Sequence, residues 1–174
     1  MTESNRHLIR PMQKGDETAF LQGVADQALR INYGFPKDMD DTLAARIFHQ
    51  FSGLNNAFSL IAKDTQEMIG FLLDVPPELP KHILDTLNGD GRTLAFAVFA
   101  PYRRHGYMKE ALTAFCAEQL KPEGLRYVHC GYFPFNEASR ALLQSLGFRP
   151  FAEHQSGGAL IVDTILERKK LPPR

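Results

Sequence analysis

The chain has 174 residues and carries 20 Lys+Arg against 20 Asp+Glu, so its formal net charge is zero. This balance gives no general attraction to nucleic acid or to an anionic membrane, so we expect neither as a partner. No apolar run approaches the roughly 18 residues of a membrane span, and residues 1–6 lack the apolar segment of a signal peptide. The two cysteines fall inside apolar elements and do not suggest a disulfide framework. We therefore expect a cytoplasmic protein.

Strand and helix signals alternate along the chain, which predicts one mixed α/β domain over 1–174, with a core at about 7–167 and a frayed basic tail at 168–174. Aspartates before apolar residues at helical spacing predict helix starts at Asp16 and at Asp40–Asp41. The polar turn at 64–67 predicts a hairpin. The predicted strands are 7–12, 57–63, 68–75, 93–99, 125–130, 148–153 and 159–166. The predicted helices are 16–31, 41–52, one or two turns within 76–92, 107–120 and 136–146.

The most informative segment is 97–112, which reads as a short apolar strand, a tight basic turn and an amphipathic helix. This order directs backbone N–H groups at the positive end of a helix dipole toward a gap. Gly106 lets the backbone approach a ligand where a Cβ would collide. Arg103, Arg104 and His105 add positive charge. The segment predicts a site for a phosphorylated ligand, and the alternative is an ordinary strand-to-helix turn.

A second segment, 136–148, is a helix with Asn136 at its start and Gly147 after its last turn. Together the two segments resemble the GNAT superfamily of acetyl-CoA-dependent N-acetyltransferases, because Arg103 and Gly106 match its Arg/Gln-x-x-Gly-x-Gly/Ala signature. The chain is most similar to the ribosomal-protein-type branch. The runs that carry this similarity are Leu8-Ile9-Arg10-Pro11, Gly15-Asp16, Gly106-Tyr107-Met108-x-Glu110-Ala111-Leu112 and Asn136-x-x-Ser139 followed by Leu146-Gly147-Phe148.

The strands that end near Val98 and Cys130 each lead into a helix, so we expect them to be parallel neighbours. The resemblance implies that this pair splays apart and holds acetyl-CoA, within a mixed, mostly antiparallel sheet of about six or seven strands flanked by about four helices. It also implies that the backbone of 96–98 binds the pantetheine arm, that the amides of 104–109 hold the pyrophosphate, and that Arg103 or Arg104 lies near the adenosine phosphate. For both arginines, a solvated charge at the helix start is the alternative. The expected cofactor-binding residues are Phe96, Ala97, Val98, Arg103, Arg104, His105, Gly106, Tyr107, Met108, Lys109 and Asn136.

The chain departs from the family pattern at three positions. Met108 replaces the last small residue of the signature, so its side chain should turn into the core. Leu143 occupies the place where many relatives carry a Tyr that protonates the leaving thiolate. Thr93 is at about the place where others carry a Glu that acts as the base.

Ser139 occupies the family's Asn-x-x-Ser position, and we expect its hydroxyl to donate a hydrogen bond to the departing thiolate. Its alternative is a hydroxyl that bonds its own helix backbone. Asn136 is expected to orient the pantetheine amide. The base stays open between His129, the Glu153–His154 segment and a chain of water molecules. The six histidines and two cysteines do not occur at metal-ligand spacing, so we expect no metal.

The sequence therefore predicts an enzyme, a monomer or homodimer, that moves an acetyl group from acetyl-CoA to a primary amine by direct attack in a ternary complex. The resemblance favours a protein N-terminal α-amine, and a small-molecule amine is the other acceptor class. Whether the acyl group is acetyl or longer stays open. The alternative function is a non-catalytic acyl-CoA-binding or regulatory module with the same fold, which the missing Tyr and Glu favour.

Overall fold

The computed structural model describes residues 2–168, so most of the predicted frayed tail, residues 169–174, lies outside the described part of the chain. The strands are β1 (Thr2–Glu3), β2 (His7–Pro11), β3 (Ala57–Ala62), β4 (Met68–Val75), β5 (Gly91–Val98), β6 (Tyr127–Tyr132), β7 (Arg149–Ser156) and β8 (Ala159–Glu167). The α-helices are α1 (Glu17–Val24), α2 (Gln27–Tyr33), α3 (Asp41–Ser52), α4 (Lys81–Leu84), α5 (Tyr107–Gln119) and α6 (Glu137–Ser145).

The strands form one mixed sheet with the hydrogen-bonded order β1-β2-β3-β4-β5-β6-β8-β7. The β1–β2, β2–β3, β3–β4, β6–β8 and β7–β8 ladders are antiparallel, and the β5–β6 ladder is parallel. The predicted mixed α/β class is confirmed. The sheet has eight strands instead of six or seven because β1 pairs through only two residues, too few to leave a pattern in the sequence.

The described residues contain six α-helices instead of about four. One reason is that the helix predicted over 16–31 is two helices. Asp26 has an extended backbone and its side chain accepts a hydrogen bond from Leu29 N–H at 2.9 Å, so it ends the first helix and caps the second. None of the helices in the described range is long and apolar enough to cross a bilayer.

The chain divides into two compact units, and strand β5 and helix α5 each belong in part to both. Unit 1 comprises the residues up to 74 together with 95–114. Its core includes a cluster of aromatic rings in which Phe20 lies 5.4 Å from both Phe48 and Phe71, between ring centres. All three side chains are fully buried, and aromatic side chains of this size contribute strongly to the free energy of folding.

Unit 2 comprises 75–94 and the residues from 115 onward. Its sheet consists of the start of β5, then β6, β8 and β7, and the parallel ladder runs from Gly91–Tyr127 to Thr93–His129. Gly91 is required here because a Cβ at this position would lie 2.0 Å from the Tyr127 ring. Helix α6 buries Leu143, which is 1% exposed.

Candidate active site

The turn between β5 and α5, in unit 1, has the backbone of an anion-binding loop. Val98 ends β5 and Tyr107 begins α5. Between them Arg104 and Gly106 have φ angles of 65° and 77°, in the left-handed region. The first hydrogen bond of α5 joins the Glu110 N–H to the Gly106 carbonyl at 3.1 Å. Because the amides before this bond have no carbonyl one turn earlier in the helix, they are available to a bound anion.

Glycine at position 106 is explained by the backbone angle. A Cβ added there would meet Arg6 Nη2 at 3.5 Å, which is ordinary contact. The left-handed φ of 77° therefore favours glycine at this position, and the protein itself leaves room over the backbone.

The two arginines of the turn lie in different surroundings. Arg103 donates from Nη2 to Asp26 Oδ2 at 2.5 Å and from Nε to the Val98 carbonyl at 3.2 Å. Its charge is therefore balanced by Asp26 inside unit 1. Arg104 is exposed and forms no ion pair within the described residues. Arg104 is thus the arginine of the turn whose charge is available to a phosphate.

Arg6 fastens the turn from outside, which the sequence did not indicate. Its Nη1 donates to the His105 carbonyl at 3.0 Å, and its guanidinium carbon lies 4.5 Å from the centre of the Tyr107 ring. Its Nε and backbone N–H both donate to the Glu110 carboxylate, at 2.7 and 2.9 Å. Burial would raise the pKa of Glu110, but the hydrogen bonds from Arg6 outweigh it and lower this pKa to about 2. The carboxylate therefore stays charged and holds Arg6 against the start of α5.

The side chains of the turn sort into buried and exposed groups. Met108 is 6% exposed, in agreement with the expectation that it turns into the core. Lys109 is exposed, so with Arg104 it places positive charge beside the free amides, and the exposed His105 adds a ring N–H donor. This combination of amides and cations suits a phosphate group.

The C-terminal half of β5, in unit 1, has β4 on one edge, and within residues 2–168 the ladder on its other edge ends at Thr93–His129. The Ala97 carbonyl faces β4, since a Cβ at Gly70 would lie 2.3 Å from its oxygen, and Phe99 N–H bonds the Ile69 carbonyl at 2.9 Å. Backbone groups of successive strand residues point to opposite edges. Those of Phe96 and Val98 therefore point away from β4, as an extended chain beside β5 would require.

Helix α6, in unit 2, begins as the sequence predicts. The Asn136 side-chain oxygen accepts a hydrogen bond from Ser139 N–H at 3.1 Å and so caps the helix. The half-buried Ser139 hydroxyl has no hydrogen-bond partner within residues 2–168, whereas Ser145 in the same helix bonds the Leu142 carbonyl at 2.8 Å. The alternative in which Ser139 bonds its own backbone is therefore not the arrangement found.

Four polar side chains cross the sheet of unit 2 in a line that we call the polar row: Thr93, His129, Asp163 and His154. Thr93 Oγ1 lies 2.8 Å from His129 Nδ1, and His129 Nε2 lies 2.9 Å from Asp163 Oδ1. His154 Nδ1 lies 2.6 Å from Asp163 Oδ2. The side chains of His129, Asp163 and His154 are 5%, 0% and 13% exposed. A carboxylate this deeply buried is tolerated because each oxygen has an imidazole partner.

A family model decides the assignment. The model described as "Acetyltransferase (GNAT) domain" matches residues 6–149, which is most of the chain. The chain belongs to the GNAT acetyltransferase family. A search of curated protein sequences gave no significant match.

Solved structures of GNAT acetyltransferases share the fold. A GNAT-family acetyltransferase from Bacillus anthracis has a TM-score of 0.78 at 17% identity, covering 98% of this chain and 100% of that one. A ribosomal-protein-S5-alanine acetyltransferase from Vibrio fischeri has a TM-score of 0.72 at 17% identity, covering 99% and 100%. An acetyltransferase from Agrobacterium tumefaciens has a TM-score of 0.73 at 19% identity, covering 96% and 94%. At these identities the likeness concerns the fold.

This GNAT protein departs from the family pattern at Leu143 and Thr93 in different ways. Leu143 is a fully buried core residue. Thr93 belongs to the polar row. The sequence offers the two histidines of the row as separate candidates. It does not point to Asp163, which joins them, because β8 follows β6 only after α6 and β7 and no local motif pairs β6 with β8.

Neither Glu153 nor the cavity in unit 1 has the features of a catalytic or binding site. Glu153 is exposed and adjoins His154 on β7, so its side chain points to the opposite face of the strand from the polar row. A cavity of about 360 Å³ in unit 1 is lined by Arg10, Asp16, Glu67 and Tyr102, among others, but these bond each other in pairs. Within residues 2–168, no group of three His, Cys, Asp or Glu side chains is placed to hold a metal ion.

Proposed function

We propose that this GNAT protein is an N-acetyltransferase that moves an acetyl group from acetyl-CoA to a primary amine by direct attack in a ternary complex. The observation that carries the proposal is the turn before α5, where left-handed Arg104 and Gly106 precede amides that lack helical partners. This backbone suits a pyrophosphate, and the exposed Arg104 and Lys109 add the matching charge.

The free edge of β5 supports acetyl-CoA in preference to a shorter nucleotide. The backbone groups of Phe96 and Val98 that point away from β4 can bond an amide-bearing arm, as a neighbouring strand would. The Val98 carbonyl already accepts from Arg103, so the Phe96 carbonyl and the Val98 N–H are the groups we expect to bind the pantetheine amides.

The chemistry asks for three things from the protein. The amine must lose a proton as it attacks the thioester carbonyl carbon, the resulting oxyanion needs N–H donors, and the departing sulfur needs a proton. We assign the last role to Ser139, whose hydroxyl is half-buried and has no competing bond to described residues. A thiol pKa near 8.5 makes the thiolate a fair leaving group, so one hydrogen-bond donor is enough.

The proposal covers two acceptor classes, a protein N-terminal α-amine and a small-molecule amine. Measuring free thiol release from acetyl-CoA against short peptides with free N-termini, polyamines and amino sugars separates them. Release above background with one class, together with the acetylated product by mass spectrometry, supports the transferase. Background release with every acceptor contradicts it.

The second candidate function is a non-catalytic acyl-CoA-binding module. Leu143 favours it, because the position that carries an acid in many relatives is here packed in the core. Calorimetric titration with acetyl-CoA distinguishes the two. Tight binding without thiol release identifies the module, and tight binding with thiol release identifies the enzyme.

A further inference from the structure

We propose that the polar row is a proton relay in which His129 receives the proton of the attacking amine through the Thr93 hydroxyl, while Asp163 and His154 hold His129 in the receptive form. This inference rests on the proposed acetyl transfer and names its base.

The tautomers follow from the hydrogen bonds. An ionised carboxylate can only accept, so Asp163 receives an N–H from each imidazole, at 2.9 Å from His129 Nε2 and at 2.6 Å from His154 Nδ1. Neutral His129 with its proton on Nε2 has a lone pair on Nδ1. The Thr93 hydroxyl, 2.8 Å away, must then donate to that lone pair. The row is therefore ordered for proton movement from Thr93 toward His129.

The transfer balances in protons and electrons. As the amine nitrogen bonds the thioester carbonyl carbon, its N–H bond breaks and Thr93 Oγ1 takes the proton. The original Thr93 proton moves to His129 Nδ1, where the lone pair forms the new N–H bond. The C–S bond then breaks with its electron pair on sulfur, which takes a proton from solvent through the Ser139 hydroxyl. His129 returns its extra proton to solvent by the reverse path.

Asp163 is the charged group nearest to His129. It is fully buried and faces His129 from β8, with its Oδ1 2.9 Å from His129 Nε2. From β7, the Phe151 ring packs edge-on against the His129 ring, with 6.1 Å between the ring centres. His154, also on β7, does not contact His129 directly but bonds the other oxygen of Asp163. Tyr127 shares its face on β6, and the charged pair of α6, Arg140 and Glu137, is exposed and bonded together.

The position of Thr93 makes it the entrance to the row. It is the half-buried member on β5, the strand whose later residues form the proposed pantetheine edge. His154 lies on β7, three strands from β5 in the sheet order, or roughly 14 Å at the usual spacing of about 4.8 Å. Asp163 and His154 are therefore positioning residues, and Thr93 is the group expected to touch the substrate.

The first test needs no acceptor. Nitrogen-15 NMR of histidine-labelled protein reports which ring nitrogens carry protons. We expect His129 to be protonated on Nε2 and bare on Nδ1 between pH 7 and 8, and Asp163→Asn to abolish this preference. A His129 protonated on Nδ1, or on both nitrogens from pH 6 to 9, cannot accept a proton from Thr93 and overturns the relay.

The second test compares two isosteric hydroxyl deletions with the acceptor found in the thiol-release panel. Thr93→Val should lower kcat/KM for the amine about a hundredfold at pH 7, with the deficit shrinking as the pH rises and unchanged calorimetric affinity for acetyl-CoA. Thr164→Val is the control, since Thr164 bonds the Cys130 carbonyl at 2.8 Å and lies outside the row. The double variant Thr93→Val with His129→Gln should be no slower than the slower single variant, because both break one path.

The outcomes distinguish a failure of the proposed relay from a failure of the proposed acetyltransferase function. If Thr93→Val is as active as Thr164→Val, the relay is wrong and the transferase stands. The relay is also wrong, and the transferase assignment still holds, if the fold-reduction in kcat/KM of the double variant equals the product of the fold-reductions of the two single variants. If the unaltered protein releases no thiol with any acceptor, the proposed transferase fails, and the relay's catalytic role fails with it.

Discussion

Arg6 and Glu110 are 104 positions apart in the chain, yet they are joined by two hydrogen bonds, from Arg6 Nε at 2.7 Å and from Arg6 N–H at 2.9 Å. This pair ties the segment before β2 to the first turn of α5 within unit 1. The same guanidinium bonds the His105 carbonyl, so the pair also fixes the turn that we assign to phosphate binding.

The first prediction concerns this pair. Glu110→Gln should lower the free energy of unfolding at pH 7 by about 1 kcal/mol, because a charge-assisted bond becomes a neutral one. The pKa of Glu110 is lowered to about 2, so the unfolded chain binds the proton more readily. The pair's contribution is thus full above pH 4.5 and is lost as the pH falls toward 2. Urea unfolding at several pH values measures it.

The matched control is Glu118→Gln, further along α5, where the carboxylate is about half exposed and pairs with Lys121. Its effect should be under about 0.5 kcal/mol. Equal effects of the two substitutions at pH 7 would show that the Arg6–Glu110 pair contributes no more to the free energy of unfolding than an exposed ion pair does.

The second prediction concerns His7, which is fully buried and whose two ring nitrogens have no hydrogen-bond partner within residues 2–168. Burial lowers the pKa of His7, and the nearby Glu110 charge only partly opposes this. Since the unfolded chain protonates His7 more readily, the folded state loses stability as the pH drops below about 6.5, by up to about 2 kcal/mol at pH 5. His7→Leu should remove this part of the loss, measured by urea unfolding at pH 5 and pH 7.

The exposed His82 provides the control for this titration. His82→Gln should leave the difference in unfolding free energy between pH 5 and pH 7 as it is in the unaltered protein. A His7→Leu variant with the same pH dependence as the unaltered protein would rule out His7 as its source.

Much of the fold was predictable because its signals are local. Asp40 caps α3, the turn at 64–67 joins β3 to β4, and Asn136 caps α6, as the sequence predicts. The break at Asp26 was missed because apolar residues continue at helical spacing on both sides of it, although the cap itself is a local hydrogen bond from Leu29 N–H. Asp26 also pairs with Arg103, 77 positions away. Strand β1 was missed because two residues carry no periodicity.

The candidate site also has a part that the sequence predicts and a part that it does not. The phosphate turn is a continuous segment, so its glycine and its helix start could be read directly. The polar row comes from four strands, and neither Thr93 nor Asp163 has a chemical signature of its own. Arg103 and Arg104 have identical side chains, so the sequence cannot tell them apart. They differ because Asp26, from another part of unit 1, pairs with Arg103.

The third prediction concerns Gly106. Gly106→Val should weaken acetyl-CoA binding by about 2 kcal/mol or more, roughly thirtyfold, because a branched residue resists the φ of 77° and its Cβ covers the backbone. Gly15→Val is the control, since Gly15 has no positive φ and no atom near its Cβ position. Calorimetric titration measures both, with circular dichroism to show that each variant is folded. Unchanged affinity in a folded Gly106→Val variant would refute the phosphate-turn assignment.

The last prediction concerns Ser139 and its neighbour in the same helix, Ser145. If the Ser139 hydroxyl donates to the departing sulfur, Ser139→Ala should lower kcat about ten- to a hundredfold with little change in acetyl-CoA affinity. Ser139→Cys should recover part of the rate, because a thiol can still donate. Ser145→Ala should leave the rate unchanged, since its hydroxyl bonds the Leu142 carbonyl.

Pre-steady-state kinetics must accompany these rates, because slow product release would hide a slower chemical step. A lowered rate in Ser139→Ala with a matching loss of acetyl-CoA affinity would show that the hydroxyl acts in binding instead of in the chemical step, because alanine keeps the Ser139 N–H that completes the Asn136 cap. An unchanged rate, where acetyl transfer is shown to limit turnover, would mean that the thiolate takes its proton directly from water. The expected split, a lower kcat at constant affinity, is what a hydrogen bond formed only as the C–S bond breaks must produce.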